Sequence, residues 1–250
     1  MKNEEDRLKA RFFDLDRMAD LKNQICYSDF LNVNETRILH TIKQELLCSV
    51  QQFGGNESCE RQMAAFVPGA LNCTPDFPIH CIEIMAKNSK FADELHHRDV
   101  LGSIMNLGFE RKLIGDIIVA KSKAFVFCNK KITDYVTENL IKIKHTTVIL
   151  KQVPYEQAMG SIEYQSCSQT ITSPRIDCIV AAVAGVSRSQ AAKLILGEKV
   201  AVNSVICLHN TMLCKQGDRL SIRGYGKFIL EDDSQLSKKG KLKLQYKKLI

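Results

Sequence analysis

Basic side chains recur through the C-terminal third of the chain, at spacings that suit contact with a row of phosphates. Arginine and lysine neutralise phosphate oxygens, and serine hydroxyls with the unpaired N–H groups at a helix start can donate to one phosphate. The candidate contacts are Arg175, Ser187, Arg188, Ser189, Lys193, Lys199, Arg219, Arg223 and Lys227. These residue types in this stretch indicate binding of a polyanion.

Two short helices and a set of strands must position these side chains. Ser173 followed by Pro174 predicts the start of the first helix, with serine as the N-cap and proline at the first helical position. An apolar stripe at helical spacing then runs from Ile176 to Val183 and stops before Gly185. The sequence therefore predicts one short helix with a buried face.

A second helix follows after a short turn. Ser187 and Gln190 have the spacing of a capping box, and Gly197 ends the apolar pattern. From Val200 onward the apolar residues alternate, which predicts short strands. Small helices backed by strands are expected to leave one basic side, formed by Arg175, Arg188, Lys193, Lys199, Arg219 and Arg223.

The same stretch carries a family resemblance. The segments SPRID, SRSQAAKLILGEKVAVN and GDRLSIRGYGKF resemble, in order, the RNA-binding module named after the fourth protein of the small ribosomal subunit, also called the alpha-L motif. One departure is Ile176, where leucine is commoner in the module. The resemblance implies that the outer arc of the second helix and the start of the first lie against phosphates of structured RNA.

Charge is distributed unevenly along the chain. Residues 174–250 contain 14 Lys and Arg against 6 Asp and Glu, a net of +8, whereas the remaining residues carry a net of −1. A basic block that coincides with a small module favours polyanion binding over a general contribution to solubility.

Composition is that of an ordinary soluble globular protein, with 45% hydrophobic and 25% charged residues among 250. A charged N-terminus and the lack of any apolar run of membrane-spanning length predict a cytoplasmic protein without a membrane partner, and we expect a monomer when it is free. The ten cysteines contain no C-x-x-C pair, and the spacings of Cys73 with Cys81 and of Cys207 with Cys214 do not suit zinc. We therefore expect free thiols, no metal and no cofactor.

The middle of the chain alternates strand-like and helix-like segments. Strands are predicted at 79–85, 115–120, 124–128 and 146–152, with helices at 98–107 and 132–141. This β-α-β-β-α-β order is that of ferredoxin-like folds, which include the RRM. Phe125 and Phe127 share one strand face and could stack bases, but such a pair is more often core, and core is the interpretation that we favour.

One central segment, HHRD at 96–99, has the letters of a kinase catalytic loop. No Gly-rich loop, D-F-G or correctly placed Asn accompanies it, so phosphotransfer is rejected. Gly54 and Gly55 permit either a phosphate-contacting loop or a tight hairpin. Possible secondary RNA contacts are Arg61, Arg98, Arg111, Lys241 and Lys243.

A second resemblance covers nearly the whole chain. FGG and ER near residue 55, HRDVLGSIMNLGFERKLIGDI in the centre and the C-terminal module resemble, in this order, the YlmH family of bacterial RNA-binding proteins. The resemblance implies an α+β fold with an N-terminal helical portion, an RRM-like domain and an alpha-L module. It further implies a non-enzymatic protein bound to ribosomal RNA of the large subunit, with contact to tRNA during rescue or quality control.

Domain boundaries follow from these patterns. We predict an N-terminal helical and strand region at 1–74, a central domain at 75–153, a linker at 154–172 and the C-terminal module at 173–250. The linker can add an edge strand near its end, and an acidic turn is expected at 231–233. A last strand would bury Leu242, Leu244 and Tyr246 and present a row of lysines, which suits either RNA contact or a solvated edge.

Two other function classes stay open. An RNA-modifying enzyme is possible because this module is often joined to pseudouridine synthases and methyltransferases, and Asp99 and Asp116 are its only candidate catalytic groups. No G-x-G-x-x-G or comparable motif supports it. An adaptor for a translation or cell-division partner is compatible with RNA binding, and would use the near-neutral N-terminal two thirds.

Overall fold

The computed structural model describes residues 2–56, 59–71, 73–88, 93–120, 123–159, 164–203, 205–236 and 242–249. The chain divides into two compact units, Met1–Ile162 and Glu163–Ile250. The first unit encloses both the predicted N-terminal region and the predicted central domain. The predicted linker contains a helix of the first unit and a strand of the second.

The N-terminal layer of the first unit combines two helices with a small antiparallel sheet. Its elements are α1 Lys2–Lys22, β1 Cys26–Tyr27, α2 Val33–Ile42, a 3₁₀ turn Lys43–Glu45, β2 Ser49–Phe53 and β3 Met63–Val67, with sheet order β1-β3-β2. The α2 helix begins where Asn32 and Glu35 form a capping box. Phe12 and Ala19 of α1 are seven residues apart, which places them on one face of the helix, and both are buried in the core of this layer.

A ferredoxin-like domain follows in the same unit. Its elements are β4 Ile79–Ala86, α3 His97–Met105, a 3₁₀ turn Arg111–Leu113, β5 Ile114–Ala120, β6 Lys123–Asn129, α4 Lys130–Asn139, β7 Lys142–Ile143, β8 Thr146–Val153 and α5 Tyr155–Met159. The antiparallel sheet has the order β5-β6-β4-β8-β7. The predicted β-α-β-β-α-β order is confirmed, with element ends shifted by a few residues.

A shared core joins the N-terminal layer to the central sheet. Phe125 and Phe127 are fully buried and pack with Phe30 and Met63, so the interpretation of the phenylalanine pair as core is confirmed. A Cβ at Gly55, whose φ is +104°, would collide with the Phe127 ring. The Gly-Gly turn is therefore a close approach of backbone to aromatic side chain.

Glu83 is a buried carboxylate on the same sheet face. Its oxygens lie 2.8 Å from Lys123 Nζ and 3.0 Å from Lys151 Nζ. Burial would raise the pKa of Glu83, but hydrogen bonds and charges from the two lysines hold it below its ordinary value. The carboxylate is thus ionised at neutral pH and ties β4 to both neighbouring strands.

The Glu83→Gln variant is expected to lower the free energy of unfolding by about 1–2 kcal/mol at pH 7, because the lysines it leaves are partly exposed and can hydrate. Since the folded-state pKa is depressed, the Glu83 contribution is complete above the unfolded value near 4.5 and disappears as pH falls through the folded value. Urea unfolding of both proteins between pH 3 and pH 7 measures this. Glu138→Gln, at an exposed position, is the control; a difference that does not shrink below pH 4.5 would contradict the pairing.

The second unit packs two helices on one face of a sheet. Its elements are β9 Tyr164–Ile171, α6 Ile176–Ala184, α7 Arg188–Leu196, β10 Val200–Val202, β11 Val205–Ile206, β12 Arg219–Ile222, β13 Gly226–Leu236 and β14 Leu242–Leu249. The strand order is β11-β10-β12-β13-β14-β9. Leu220, Ile222, Phe228 and Tyr246 form the core with the apolar stripes of α6 and α7.

The start of α6 differs from the prediction. The N-cap is Arg175, in extended conformation, and not Ser173. The backbone of this segment pairs with a later one, since Cys214 N–H donates to the Pro174 carbonyl and Ile176 N–H donates to the Met212 carbonyl. That tertiary pairing holds the chain extended through Arg175 and delays the helix by two residues.

The C-terminal strands also differ from the prediction. The expected acidic turn at 231–233 is instead part of the continuous strand β13. The register in which β13 pairs with β14 shifts after Leu230, where the acidic residues begin. The last strand lies between β13 and β9 rather than at an edge, and the linker strand β9 takes the edge position. Leu244 and Tyr246 are buried as predicted, whereas Leu242 is half-buried.

Among the described residues, no single helix is long and apolar enough to cross a membrane; α6 and α7, bent by 110°, pass that test only as a pair.

Candidate RNA-binding surface

Two arginines converge where α6 and α7 begin. Arg175 Nε and Nη2 each lie 3.2 Å from an oxygen of Asp177, and Arg188 Nη2 lies 2.6 Å from Asp177 Oδ2. Asp177 is buried, whereas the Arg188 side chain is 56% exposed. Two guanidinium groups from different helix starts are thereby held side by side; we call Arg175, Asp177, Ser187, Arg188, Ser189 and Lys193 the helix corner.

The protonation states of the helix corner follow from these contacts. Burial would raise the pKa of Asp177, but the hydrogen bonds and charges of Arg188 and Arg175 outweigh it and leave that pKa below its ordinary value. The hydrogen bond to Asp177 in turn raises the pKa of Arg188. Asp177 and Arg188 therefore both carry their charges at neutral pH.

The start of α7 is fixed by its own capping box, as the sequence predicts. Ser187 Oγ accepts a hydrogen bond from the Gln190 N–H, and Gln190 Oε1 accepts from the Ser187 N–H. Ser189 Oγ lies 3.0 Å from Ser187 Oγ. The serine hydroxyls thus shape the helix start and lie beside Arg188 at the exposed end of α7.

Further lysines and arginines extend from the helix corner. Lys193 is exposed one turn along α7 from Ser189, and Lys199 follows the helix end. The Arg223 N–H donates to the Lys199 carbonyl at 2.9 Å, which brings these two residues together at the rim of the sheet. Within the described part of the chain, Lys193, Lys199 and Arg223 form no ion pair.

The remaining basic candidates lie on the other face of the sheet. Leu220, Ile222 and Phe228 point into the core under the helices, so Arg219 and Lys227 alternate away from it. The prediction of one basic side is therefore wrong for Arg219, because the strand register separates it from the helix corner. Lys243 lies on the same outer face, and Lys241 lies outside the described residues.

Two arginines proposed as secondary contacts serve the first unit instead. Arg61 donates from Nε to the Ile114 carbonyl and from Nη2 to the Phe30 carbonyl, at 3.0 and 2.9 Å. Arg111 donates to the carbonyls of Ile114 and Gly115. Burial lowers the pKa of both, that of Arg111 to about 10 with a further contribution from the Arg61 charge. Their donors face backbone carbonyls, an arrangement that weighs against phosphate contact.

Arg98 of the HHRD segment, unlike Arg61 and Arg111, is exposed. Arg98 is 85% exposed, and Asp99 pairs with Lys144 Nζ at 2.7 Å. The hydrogen bond from Lys144 is the main reason that the pKa of Asp99 lies below its ordinary value. Asp116 accepts hydrogen bonds from the N–H groups of Glu60 and Arg61, both at 3.0 Å. Both candidate catalytic carboxylates are thus engaged in structural contacts.

The cysteines are free thiols, as expected. Cys207 and Cys214 are both buried, and burial raises the pKa of Cys214 to about 12. No group of three or more His, Cys, Asp and Glu arranged to hold a metal occurs in the part of the chain that the structure describes.

Asp177 is the member of the helix corner that sequence reasoning missed. Basic residues and serines are the pattern that predicts phosphate contacts, and an acid does not belong to that pattern. A signal was nevertheless present, because SPRID places a carboxylate two residues after Arg175 in the first helical turn. Its partnership with Arg188 requires the turn between the helices to be known.

The fold and the basic corner define an α+β protein with a ferredoxin-like domain and a small C-terminal helix-and-sheet unit. The family model described as "Putative RNA-binding domain in YlmH" matches residues 73–157. This stretch, about a third of the chain, is therefore similar to the RNA-binding domain of the YlmH family.

The proteins similar to this chain include one relative compared by sequence and one solved structure. The "Ribosome-associated protein quality control protein P2" of Bacillus subtilis is 26% identical over 239 residues, covering 93% of this chain and 90% of its own length. The structure of "Cell division protein ylmH from Streptococcus pneumoniae" is similar with a TM-score of 0.52 and 23% identity, covering 62% of this chain and 93% of its own. The second likeness supports the fold.

Proposed function

We propose that the protein binds structured RNA on the ribosome, through the helix corner of its C-terminal unit, and that it is not an enzyme. The observation that carries this proposal is the pairing of Arg175 and Arg188 with the buried Asp177, and Lys193 is exposed further along α7. Two adjacent guanidinium forks suit neighbouring phosphates better than dispersed lysines do. The net charge of +8 in residues 174–250 supports it.

The ribosome is proposed as the partner because of the similar Bacillus subtilis protein, whose name describes it as ribosome-associated and as acting in quality control. We propose ribosomal RNA of the large subunit as the specific target, with tRNA contacted during rescue or quality control. This part rests on family resemblance and on the net charge of the C-terminal unit.

The absence of catalysis is supported by the two candidate carboxylates. Asp116 accepts two backbone hydrogen bonds and Asp99 pairs with Lys144, so neither is arranged as a general base beside a nucleophile. Mass spectrometry of ribosomal RNA incubated with the protein, with and without S-adenosylmethionine, tests this. A mass shift that depends on Asp99 or Asp116 would favour the RNA-modifying enzyme.

Binding to purified bacterial large subunits should depend steeply on salt. If about six basic side chains neutralise phosphates, log affinity falls with log salt at a slope of roughly −4 to −5. Between about 50 and 200 mM salt the affinity should then drop by roughly 10²- to 10³-fold. Fluorescence anisotropy of the labelled protein across that range measures the slope, and a slope near zero would contradict electrostatic binding to RNA.

A further inference from the structure

The centre of the helix corner is negative. Asp177 lies in the first turn of α6, is 6% exposed, and accepts hydrogen bonds from both arginines that flank it. A carboxylate at this place lowers the positive charge of the surface that RNA would meet. Asp177 therefore does not strengthen binding by attracting RNA, and any contribution it makes has another cause.

The geometry supplies that cause. Arg175 uses Nε and Nη2 on the two oxygens of Asp177, and Arg188 adds Nη2 on one of them. A guanidinium carries five N–H donors, so each arginine keeps donors that the carboxylate does not occupy. Arginine otherwise has many rotamers, and fixing two of them in advance removes an entropic cost from binding.

We propose that Asp177 is the positioning residue of the RNA-binding surface: it holds the Arg175 and Arg188 forks in the orientation in which they meet adjacent phosphates. This role rests on the proposed function. It extends that function by making the helix corner a preorganised site, in which orientation contributes to affinity beyond net charge.

Removing the Asp177 charge should change RNA affinity in opposite directions, depending on whether Asp177 positions the arginines or only lowers the net charge. Asp177→Asn removes a negative charge, so a surface that acts only through net charge would bind RNA more tightly. A positioning role instead predicts about tenfold weaker binding to purified bacterial large subunits. Glu198→Gln, at an exposed position just after α7, makes the same charge change away from the arginines and should leave binding equal or slightly tighter.

A second variant covers the possibility that Asp177→Asn disturbs folding. Arg188→Lys keeps the charge but loses the fork, and the Arg188 side chain is 56% exposed, so the fold should be retained. We expect binding several-fold weaker than in the wild type. In the double variant with Asp177→Asn the two losses should not add, because both remove the same arrangement.

The outcomes separate the two proposals. If the wild type does not bind large subunits, the proposed function fails and the positioning role fails with it. If the wild type binds while Asp177→Asn, verified as folded by its thermal transition, binds equally or more tightly, the positioning role alone is overturned. Arg188→Lys binding as well as the wild type would overturn it too.

Discussion

Reversing two charges at the helix corner is expected to abolish stable binding to the large ribosomal subunit. The Arg188→Glu, Lys193→Glu double variant removes about two of roughly six phosphate contacts and adds repulsion at the same place, so affinity should fall at least about 100-fold at moderate salt. The salt slope should also become shallower by about 1.5. Fluorescence anisotropy with purified bacterial large subunits measures both quantities.

The matched control carries the same change in net charge on the other compact unit. Lys22 and Lys43 are exposed in the N-terminal layer of the first unit, and the Lys22→Glu, Lys43→Glu variant should bind nearly as well as the wild type. An equal loss in both double variants would mean that net charge decides binding, and would contradict a site at the helix corner.

Removal of the Phe127 ring is expected to be the most destabilising single change in the first unit. The side chain is fully buried, packs with Tyr155 at 6.2 Å between ring centroids, and leaves no room for a Cβ at Gly55. Phe127→Ala should lower the free energy of unfolding by about 3–5 kcal/mol, because it removes apolar contacts and opens a cavity. Urea unfolding followed by circular dichroism measures this.

The same variant separates a core role from base stacking. Phe127→Ala should leave the RNA affinity of the folded protein within about twofold of the wild type, since the proposed site lies in the second unit. Phe109→Ala, which removes a half-buried ring packed edge-to-face on Tyr135, is a control expected to cost less than half as much stability. Little destabilisation with a clear loss of RNA binding would show that the central sheet stacks bases.

Local signals in the sequence predicted local structure well. The capping box of Ser187 and Gln190 involves residues three apart, so the sequence alone contains all its parts, and the structure confirms it. The alternation of Val200 and Val202 likewise depends only on neighbours. The order of elements in the ferredoxin-like domain follows from such patterns, which is why it was predicted with small boundary errors.

Features that depend on distant partners were not predictable in this way. The N-cap of α6 is Arg175 rather than the predicted Ser173, because this segment pairs with the chain near Met212. The sequence SPRID contains no signal for that distant partner. The pairing of β9 with β14 joins Tyr164 to Leu249 across most of the second unit. Arg61 is of a residue type that often contacts phosphate, but its guanidinium donates hydrogen bonds to backbone carbonyls of Ile114 and Phe30.

The candidate RNA-binding surface also combines features that the sequence predicts with features that need the fold. Its basic residues could be selected from the sequence, because the charge of a residue and its position around a helix depend only on its neighbours. Their separation into a helix corner and an outer sheet face depends on which side of each strand meets the core, as Leu220 and Phe228 show for Arg219 and Lys227. The place of Asp177 between two arginines depends on the angle at which α6 and α7 meet.

Gradient sedimentation tests the proposed RNA binding at the helix corner most directly, on bacterial lysates that contain either the wild type or the Arg188→Glu, Lys193→Glu variant. We expect the wild type to travel with the large ribosomal subunit, while the folded variant stays at the top of the gradient. Crosslinks in the wild-type fraction should then join ribosomal RNA to peptides of residues 173–199. A folded wild type that remains at the top, or a variant that sediments equally, would contradict RNA binding through the helix corner.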